Sequence, residues 1–165
     1  MSSDKSASAE LAERRFSSDR RGSTGSPLTE HSNTLRFAGY AAIFNRIDKG
    51  GDIIRPGAFG AFPEGKTLPL LWQHDAMRRI GSVNFALEDR RGLRVIGTVS
   101  TGTRAGRDAA VLLSGTSVKG LSFGYRVKRA VGEKPRELLD LDVAEISLVS
   151  FPMQELARVH LVQQL

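Results

Sequence analysis

Short apolar segments separated by glycine- and proline-containing turns run from Leu35 to Val162, and no other feature of the sequence limits the fold as much. Segments this short, rich in Val, Ile, Leu and Phe, are typical of β-strands rather than helices. The predicted strands are residues 35–44, 53–54, 68–72, 80–87, 93–99, 118–127, 138–141, 144–149 and 158–162. Gly39 interrupts the first of them, which predicts a bulge or bend there.

One segment has clear helical spacing. Thr103 is placed to cap a helix that ends at Gly115. The apolar side chains of its buried face are Ala105, Ala109, Leu112 and Leu113. Pro56 predicts a second, short helix over residues 56–62. This set of elements predicts a β-rich α+β domain, either a small closed β-barrel or a strongly curved sheet, with a few surrounding helices.

Residues 1–34 have a different composition from the rest of the chain. They are rich in Ser, Gly, Thr and charged residues and contain almost no large apolar side chains. Such a segment cannot bury enough surface to offset the entropy of ordering it. We therefore predict a disordered N-terminal tail at residues 1–34 and one folded domain at residues 35–165.

The formal net charge of +6 raises the question of nucleic-acid binding. The tail is electrically balanced, so the excess falls on the predicted domain. Its cations are scattered over many segments, without the interleaved aromatic side chains on which bases stack. We therefore do not expect nucleic-acid binding to be the main role. A small basic barrel that binds nucleic acid stays an alternative, and tight, salt-sensitive DNA binding would distinguish it.

Several chemistries and settings are disfavoured by composition. The chain has no cysteine, which excludes disulfides, thiolate nucleophiles and cysteine-based metal sites and is consistent with a reducing compartment. No apolar run is long enough to span a membrane, and residues 1–15 lack the apolar region of a secretory signal. His74 and Asp75 are adjacent and would point to opposite faces of a strand, so we expect neither a metal site nor a cofactor.

Ser122 lies in Gly120-Leu-Ser-Phe-Gly124, where the flanking glycines remove side-chain bulk. Another backbone can approach the serine closely there, and N–H groups can bind an oxyanion. The segment matches the G-x-S-x-G pattern of α/β-hydrolases literally, but that elbow needs a helix after the serine. The sequence here continues as a strand, so the motif alone identifies no nucleophile. A solvent-facing serine between two bulge glycines is the alternative.

His74 and Glu145 are the residues best placed to assist a nucleophile. His74 ends an apolar strand, whereas His31 lies in the tail and His160 in the last strand. Glu145 interrupts an apolar strand, where a carboxylate must be exposed, paired or functional because burying it alone is costly. A Glu145 that accepts the Nδ1–H of His74 would fix its tautomer and stabilise the imidazolium. A structural histidine and an exposed glutamate are the alternatives.

Six stretches follow one another between Leu35 and Val162. They are Phe37-Ala-Gly-Tyr-Ala-Ala-Ile-Phe44, Gly51-Asp-Ile-Ile-Arg-Pro-Gly-Ala-Phe59, Leu70-Leu-Trp-Gln-His-Asp75, Arg91-Gly-Leu-Arg94, Gly120-Leu-Ser-Phe-Gly-Tyr125 and Glu145-Ile-Ser-Leu-Val-Ser-Phe-Pro152. In this order and at these spacings, they resemble the prohead protease family of tailed phages, which also occurs in prophages and gene transfer agents. The resemblance covers nearly the whole of the predicted domain.

The resemblance implies a fold similar to that of the herpesvirus capsid-maturation protease and the activity of a serine endopeptidase. His74 matches the family's catalytic histidine and Ser122 its nucleophile. Glu145 matches the position proposed for the third member, where the herpesvirus enzymes carry a second histidine. Because of that difference, Asp142 and Asp75 stay open as residues that orient the imidazole.

The resemblance also implies partners and a location. The substrates of the family are the scaffold or delta segment of the major capsid protein, other internal prohead proteins and the protease itself. We therefore expect action inside the assembling procapsid, in the cytoplasm of the bacterial host, with the tail as a place for self-cleavage or tethering. The motifs do not give the oxyanion donors; backbone N–H groups near Phe123 and the side chain of Arg126 are the candidates. The herpesvirus relatives favour a homodimer by analogy, and an assembly factor that keeps the fold without catalysis is the main alternative.

Overall fold

Eight strands and one helix follow one another along residues 34–165, the part of the chain that the computed structural model describes. The strands are β1 (Leu35–Ile43), β2 (Asp52–Ile54), β3 (Leu68–Trp72), β4 (Asp75–Glu88), β5 (Gly92–Val99), β6 (Gly120–Val131), β7 (Arg136–Val149) and β8 (Val159–Gln164). The helix α1 (Arg104–Ser114) lies between β5 and β6. The predicted disordered tail, residues 1–34, lies outside the described residues except for Thr34.

All eight strands belong to one sheet with the order β2-β7-β3-β4-β5-β1-β8, and β6 pairs with β7. The long strand β7 is the organising element, because β6 pairs antiparallel along one edge and β2 and β3 pair parallel along the other. Two ion pairs attach β2 and the residue after it to the start of β7. Arg136 binds Asp52 through two nitrogens at 2.9 and 2.7 Å, and Arg55 binds Glu137 in the same way at 3.0 and 2.8 Å.

The strand and helix predictions are confirmed in outline. The helix is capped as predicted, because Thr103 Oγ1 accepts a hydrogen bond from Gly106 N at 3.1 Å. A register shift between β1 and β8 falls at Gly39, as its interruption of the strand predicts. The large side chains with the least exposure belong to six of the strands and α1. They are Phe37, Leu70, Ile80, Leu93, Leu113, Leu121, Leu138, Ile146 and Leu148.

Three predictions about the architecture are wrong. The barrel is not closed: β6 meets the start of β8 through one bridge, between Gly120 and Arg158, instead of a continuous ladder. The strongly curved sheet is the alternative that holds. A single helix, not several, accompanies the sheet in residues 34–165. Residues 56–59 form a turn instead of the short helix, because Gly57 and Gly60 have φ values of +93° and +59°, outside the helical region.

Two further differences concern strand boundaries. The predicted strands 138–141 and 144–149 are parts of the single strand β7, which accommodates Asp142 at an exposed position without a break. The strand predicted from Ile80 begins earlier, at Asp75, because a two-residue turn connects β3 directly to β4. As a result, Asp142 lies on a regular strand, and Gln73 and His74 lie in a tight turn.

Candidate active site

His74 lies in the tight turn between β3 and β4, where Trp72 pairs with Asp75. The two central residues, Gln73 and His74, both have positive φ values, +52° and +61°. This is the backbone geometry of a type I′ hairpin turn, for which Asn-Gly is the usual sequence. Two larger residues in this region cost conformational energy, and such strain persists only where surrounding contacts enforce it. The sequence predicts that His74 ends a strand, and in the structure it lies in the two-residue turn that follows β3.

Residues at the C-terminal end of β7 hold this turn. The Gln73 N–H donates to Leu148 O at 3.0 Å. The Gln73 side chain makes a reciprocal pair with Ser150: its Nε2 donates to Ser150 Oγ at 2.7 Å, and its Oε1 accepts from Ser150 N at 3.2 Å. The His74 N–H donates to Ser147 Oγ at 3.2 Å. The strained turn is therefore attached by four hydrogen bonds, two to β7 and two to Ser150, the residue that follows it.

His74 and Glu145 are joined by a short hydrogen bond. Nδ1 of His74 lies 2.5 Å from Oε1 of Glu145, and the other carboxylate oxygen accepts from Ser147 Oγ at 2.6 Å. The His74 side chain is 43% exposed, whereas that of Glu145 is only 14% exposed. The hydrogen bond to Glu145 raises the pKa of His74, burial partly opposes the rise, and the charge of Glu145 adds to it. The imidazole is therefore held by its Nδ1 side, with Nε2 turned away from the carboxylate.

Ser122 lies on β6, directly opposite Ser147 on β7. Side chains alternate along a strand and match across a ladder, so Ser122, Ser147 and Glu145 share one face of the sheet. Ser122 is 7% exposed, and no hydrogen bond joins its hydroxyl to His74 or to any other described residue. Hydrogen bonds between catalytic groups are often long in unliganded enzymes and tighten when substrate binds. The structure thus brings Glu145 to His74 and places Ser122 on the adjacent strand.

The two glycines beside Ser122 serve two different contacts. A Cβ at Gly124 would lie 2.6 Å from Glu145 Oε1, so the carboxylate occupies the space that a side chain would take. A Cβ at Gly120 would meet Val149 O at 2.5 Å and the ring of Pro152 at 2.9 Å. The strand continues through both glycines, as expected, and no helix follows Ser122. The glycine pattern therefore reflects close packing against β7.

We predict that Gly124→Ala impairs the site far more than it destabilises the fold. The new methyl group would displace the Glu145 carboxylate, which is the mobile end of a side chain, and would break its hydrogen bond to His74. Misplacing a catalytic group by about 1 Å can cost roughly 100-fold in rate. Steady-state cleavage rates, with the melting temperature measured in parallel, test this. Full activity of Gly124→Ala would show that Glu145 is not needed where the structure holds it.

The alternative residues for the third role, Asp75 and Asp142, do not bond to the His74 side chain. Asp75 accepts from Met77 N at 2.9 Å and lies 3.3 Å from Arg78 Nε. Asp142 pairs across the ladder with Arg126, on an exposed part of β6 and β7. Neither carboxylate bonds to His74. Arg126, the candidate side-chain oxyanion donor, lies four residues beyond Ser122 on β6.

Phe123 presents its backbone to the open edge of β6. Leu121 N donates away from β7, to Ala157 O at 2.9 Å. The β6–β7 register is regular from Gly120 to Gly124, so Phe123, two residues further along, points its N–H to the same side. No described strand pairs with β6 along that side. The Phe123 N–H, next to Ser122, therefore points away from β7, on the side of β6 where no described strand pairs beyond Ser122.

The described residues were compared with the requirements of a metal site and of a membrane-spanning helix. In residues 34–165, no three His, Asp or Glu side chains come together in a way that could hold a metal ion. Within the same range, the only helix is too short to cross a membrane.

The sequence interpretation missed Ser147, Gln73 and Ser150. The signal for Ser147 was its spacing, since it lies two residues after Glu145 and so on the same face of the strand.

Comparison of folds relates this structure to herpesvirus proteases. Kaposi's sarcoma herpesvirus protease in complex with an allosteric inhibitor matches with a TM-score of 0.52 and 13% identity, over 78% of this chain and 76% of that one. The same viral protease with a hexapeptide phosphonate inhibitor gives a TM-score of 0.51 and 12% identity, over 79% and 65%. At such low identity the likeness concerns the fold alone, and it confirms the predicted herpesvirus-protease-like architecture.

Comparison of sequences relates the chain to phage proteins. The prohead protease of Enterobacteria phage HK97 is 30% identical over 130 residues, which cover 74% of this chain and 58% of that protein. The chain thus matches less than two thirds of the length of that relative. The family model described as Caudovirus prohead serine protease matches residues 25–164, beginning before the predicted domain boundary. The chain therefore belongs to the Caudovirus prohead serine protease family.

Proposed function

We propose that this protein is a serine endopeptidase of capsid maturation, with Ser122 as nucleophile, His74 as general base and Glu145 as the group that orients His74. The observation that supports it most is the 2.5 Å contact between His74 Nδ1 and Glu145 Oε1 on the face that carries Ser122. A carboxylate on Nδ1 leaves Nε2 as the nitrogen for proton transfer and stabilises the imidazolium. Family membership supports the reaction class.

The proposed reaction is an ordinary two-step acyl transfer. Ser122 Oγ attacks the peptide carbonyl carbon while its proton passes to His74 Nε2, and the Phe123 N–H stabilises the oxyanion. The C–N bond then breaks, and the imidazolium gives its proton to the leaving amine. His74 next takes a proton from water, whose oxygen attacks the acyl-enzyme and releases the new carboxyl terminus. Ser122 recovers its proton, so no cofactor is needed.

The substrate is proposed to be an extended segment of capsid protein. The outer edge of β6 from Ser122 onward has no described partner strand, and backbone groups on such an edge bind an extended peptide by strand addition. The scaffold or delta segment of the major capsid protein fits this mode because proteolysis requires a locally unfolded chain. We place the activity in residues 35–165 and inside the procapsid in the host cytoplasm. A homodimer, inferred by analogy, is measurable by sedimentation of the purified protein.

Two measurements on one purified sample test the proposal. An alkyl fluorophosphonate should form a phosphonyl ester at Ser122 with loss of fluoride, located by peptide mass spectrometry, and His74→Ala should label far more slowly because it lacks the base. Incubation with the major capsid protein bearing its scaffold segment should give discrete cleavage products. Absence of label and of cleavage would favour a catalytically silent assembly factor. Labelling of a different serine would overturn the role of Ser122.

A further inference from the structure

Ser147 is a second serine in the site, and its hydroxyl connects two of the proposed catalytic elements. Its Oγ donates to Glu145 Oε2 at 2.6 Å and accepts from the His74 backbone N–H at 3.2 Å. The side chain is completely buried, at 0% exposure. It lies in the middle of three strands, opposite Ser122 on β6 and opposite Leu71 on β3.

A buried hydroxyl at this position needs an explanation, because its neighbours on β7 are apolar. Ile146 and Leu148, on either side, are among the most buried side chains of the core. A hydroxyl removed from water costs free energy unless its hydrogen-bonding capacity is satisfied. Here both the donor and an acceptor site are used, and both partners belong to the site. The contacts of this hydroxyl therefore serve Glu145 and the His74 turn.

Ser147 does not have the setting of a nucleophile. Its proton points to the Glu145 carboxylate, not to the imidazole, and no part of the side chain reaches solvent. Ser122, by contrast, is slightly exposed and makes no side-chain hydrogen bond with a described residue. A nucleophile must reach the substrate carbonyl, and of these two serines only Ser122 has any exposure.

The hydroxyl also controls two positions at once. Glu145 has two carboxylate oxygens, one on His74 and one on Ser147, so the plane of the carboxylate is set from both sides. The same hydroxyl accepts from the backbone of His74, in a turn with two positive φ values. One atom of β7, Ser147 Oγ, therefore contacts both the Glu145 carboxylate and the backbone that carries the imidazole. Such supporting contacts keep catalytic groups within a narrow range of geometry.

We propose that Ser147 is a positioning residue that acts through Glu145 and the His74 turn to hold the imidazole in its working orientation. The inference rests on the proposed function of His74 and Glu145 and adds a fourth side chain to it. Loss of the hydroxyl should lower kcat with little change in KM, because Ser147 contacts no substrate. Misplacement of the base predicts a loss of about 10- to 100-fold.

The test is a double-mutant cycle on the full-length protein with the scaffold-bearing capsid protein as substrate. It compares Ser147→Ala, Glu145→Gln and the double variant with wild type. Because part of the effect of Ser147 passes through Glu145, the double variant should lose clearly less kcat than the product of the two single losses. A merely structural role predicts losses that multiply. Ser82→Ala is the matched control, since it removes a surface hydroxyl that donates to Asn84 at 3.1 Å, and it should retain wild-type kcat.

Two further results keep the inference separable from the proposed function. Ser147→Cys keeps the size of the buried side chain but donates poorly, so it should fold and still lose kcat if Ser147→Ala proves unstable. Wild-type kcat in Ser147→Cys, or multiplicative losses in the cycle, would overturn the positioning role. An inactive Ser122→Ala beside a fully active Ser147→Ala would overturn the inference alone, whereas a fully active Ser122→Ala would overturn the proposed function.

Discussion

Replacement of Ser122 by alanine is expected to abolish cleavage of the capsid protein, with a loss on the order of 10⁶-fold in kcat, as for the nucleophile of other serine peptidases. The reason is that the oxygen of Ser122 forms the acyl bond, and no other described serine combines some exposure with a place on this face beside Glu145. The remaining catalysis would come from substrate binding and oxyanion stabilisation alone. Cleavage is measured by quantitative electrophoresis or mass spectrometry of the products.

The stability of Ser122→Ala should separate a chemical effect from a folding effect. The Ser122 hydroxyl makes no hydrogen bond with a described residue, so its removal should leave the melting temperature nearly unchanged. Ser82→Ala serves again as the matched control and should cleave at the wild-type rate. Persistent cleavage by Ser122→Ala, at a rate within tenfold of wild type, would transfer the nucleophilic role to another group.

Glu145→Gln is expected to lower kcat by about 10⁴-fold, the scale seen when the carboxylate partner of a catalytic histidine is made neutral. The amide keeps nearly the shape of the carboxylate, so the fold around Ser147 and Gly124 should persist. What is lost is the negative charge that stabilises the imidazolium and one of the two acceptor oxygens, since the amide can no longer accept from both His74 and Ser147. Cleavage rates and melting temperature, measured together, should show a chemical defect in a folded protein.

The pH dependence of Glu145→Gln supplies an independent readout. The hydrogen bond to Glu145 is the main reason that the pKa of His74 is raised. A general base must be neutral, so the acid limb of kcat/KM in wild type should lie above the ordinary histidine value of about 6.5. Loss of the carboxylate should move this limb to lower pH. An unchanged limb would show that Glu145 does not control the ionisation of His74.

The same pair makes a small contribution to the pH dependence of stability. Because the pKa of His74 is higher in the folded protein than in the unfolded chain, the ion pair stabilises the fold fully below the unfolded pKa. That contribution is lost as the pH rises through the folded pKa. The imidazole is substantially exposed, so the effect should be minor beside the effect on rate.

Sequence reasoning succeeded where the signal was local. The alternation of apolar residues predicts β1, β3, β5 and β8 closely, because burial of every second side chain is visible in the chain itself. The cap at Thr103 is equally local, since it depends on contacts three residues apart. The side chains that could take part in catalysis also stand out, because they interrupt or end apolar strands. They are His74, Ser122 and Glu145.

Prediction from the sequence failed where contacts between residues far apart in the chain decide the structure. The closed barrel was wrong because the number of hydrogen bonds between β6 and β8 depends on how the whole sheet curves, and only one bridge forms. The close contact that requires glycine at position 124 could not be predicted, because the Glu145 carboxylate belongs to another strand. Ser147 was overlooked because an isolated serine in an apolar strand has no pattern of its own.

The amino-acid sequence by itself therefore determined most of the strands, the capped helix α1 and the three residue types on which a peptidase site would depend. The tertiary structure alone decided that His74 occupies a strained turn, that Glu145 meets it at 2.5 Å, and that Ser147 connects the two. The physical reason is the range of the interactions. Strand and helix formation follow from the periodicity of neighbouring residues. The site instead arises from the register between β7 and the strands beside it, which brings His74 to Glu145 and Ser147, 71 and 73 positions away.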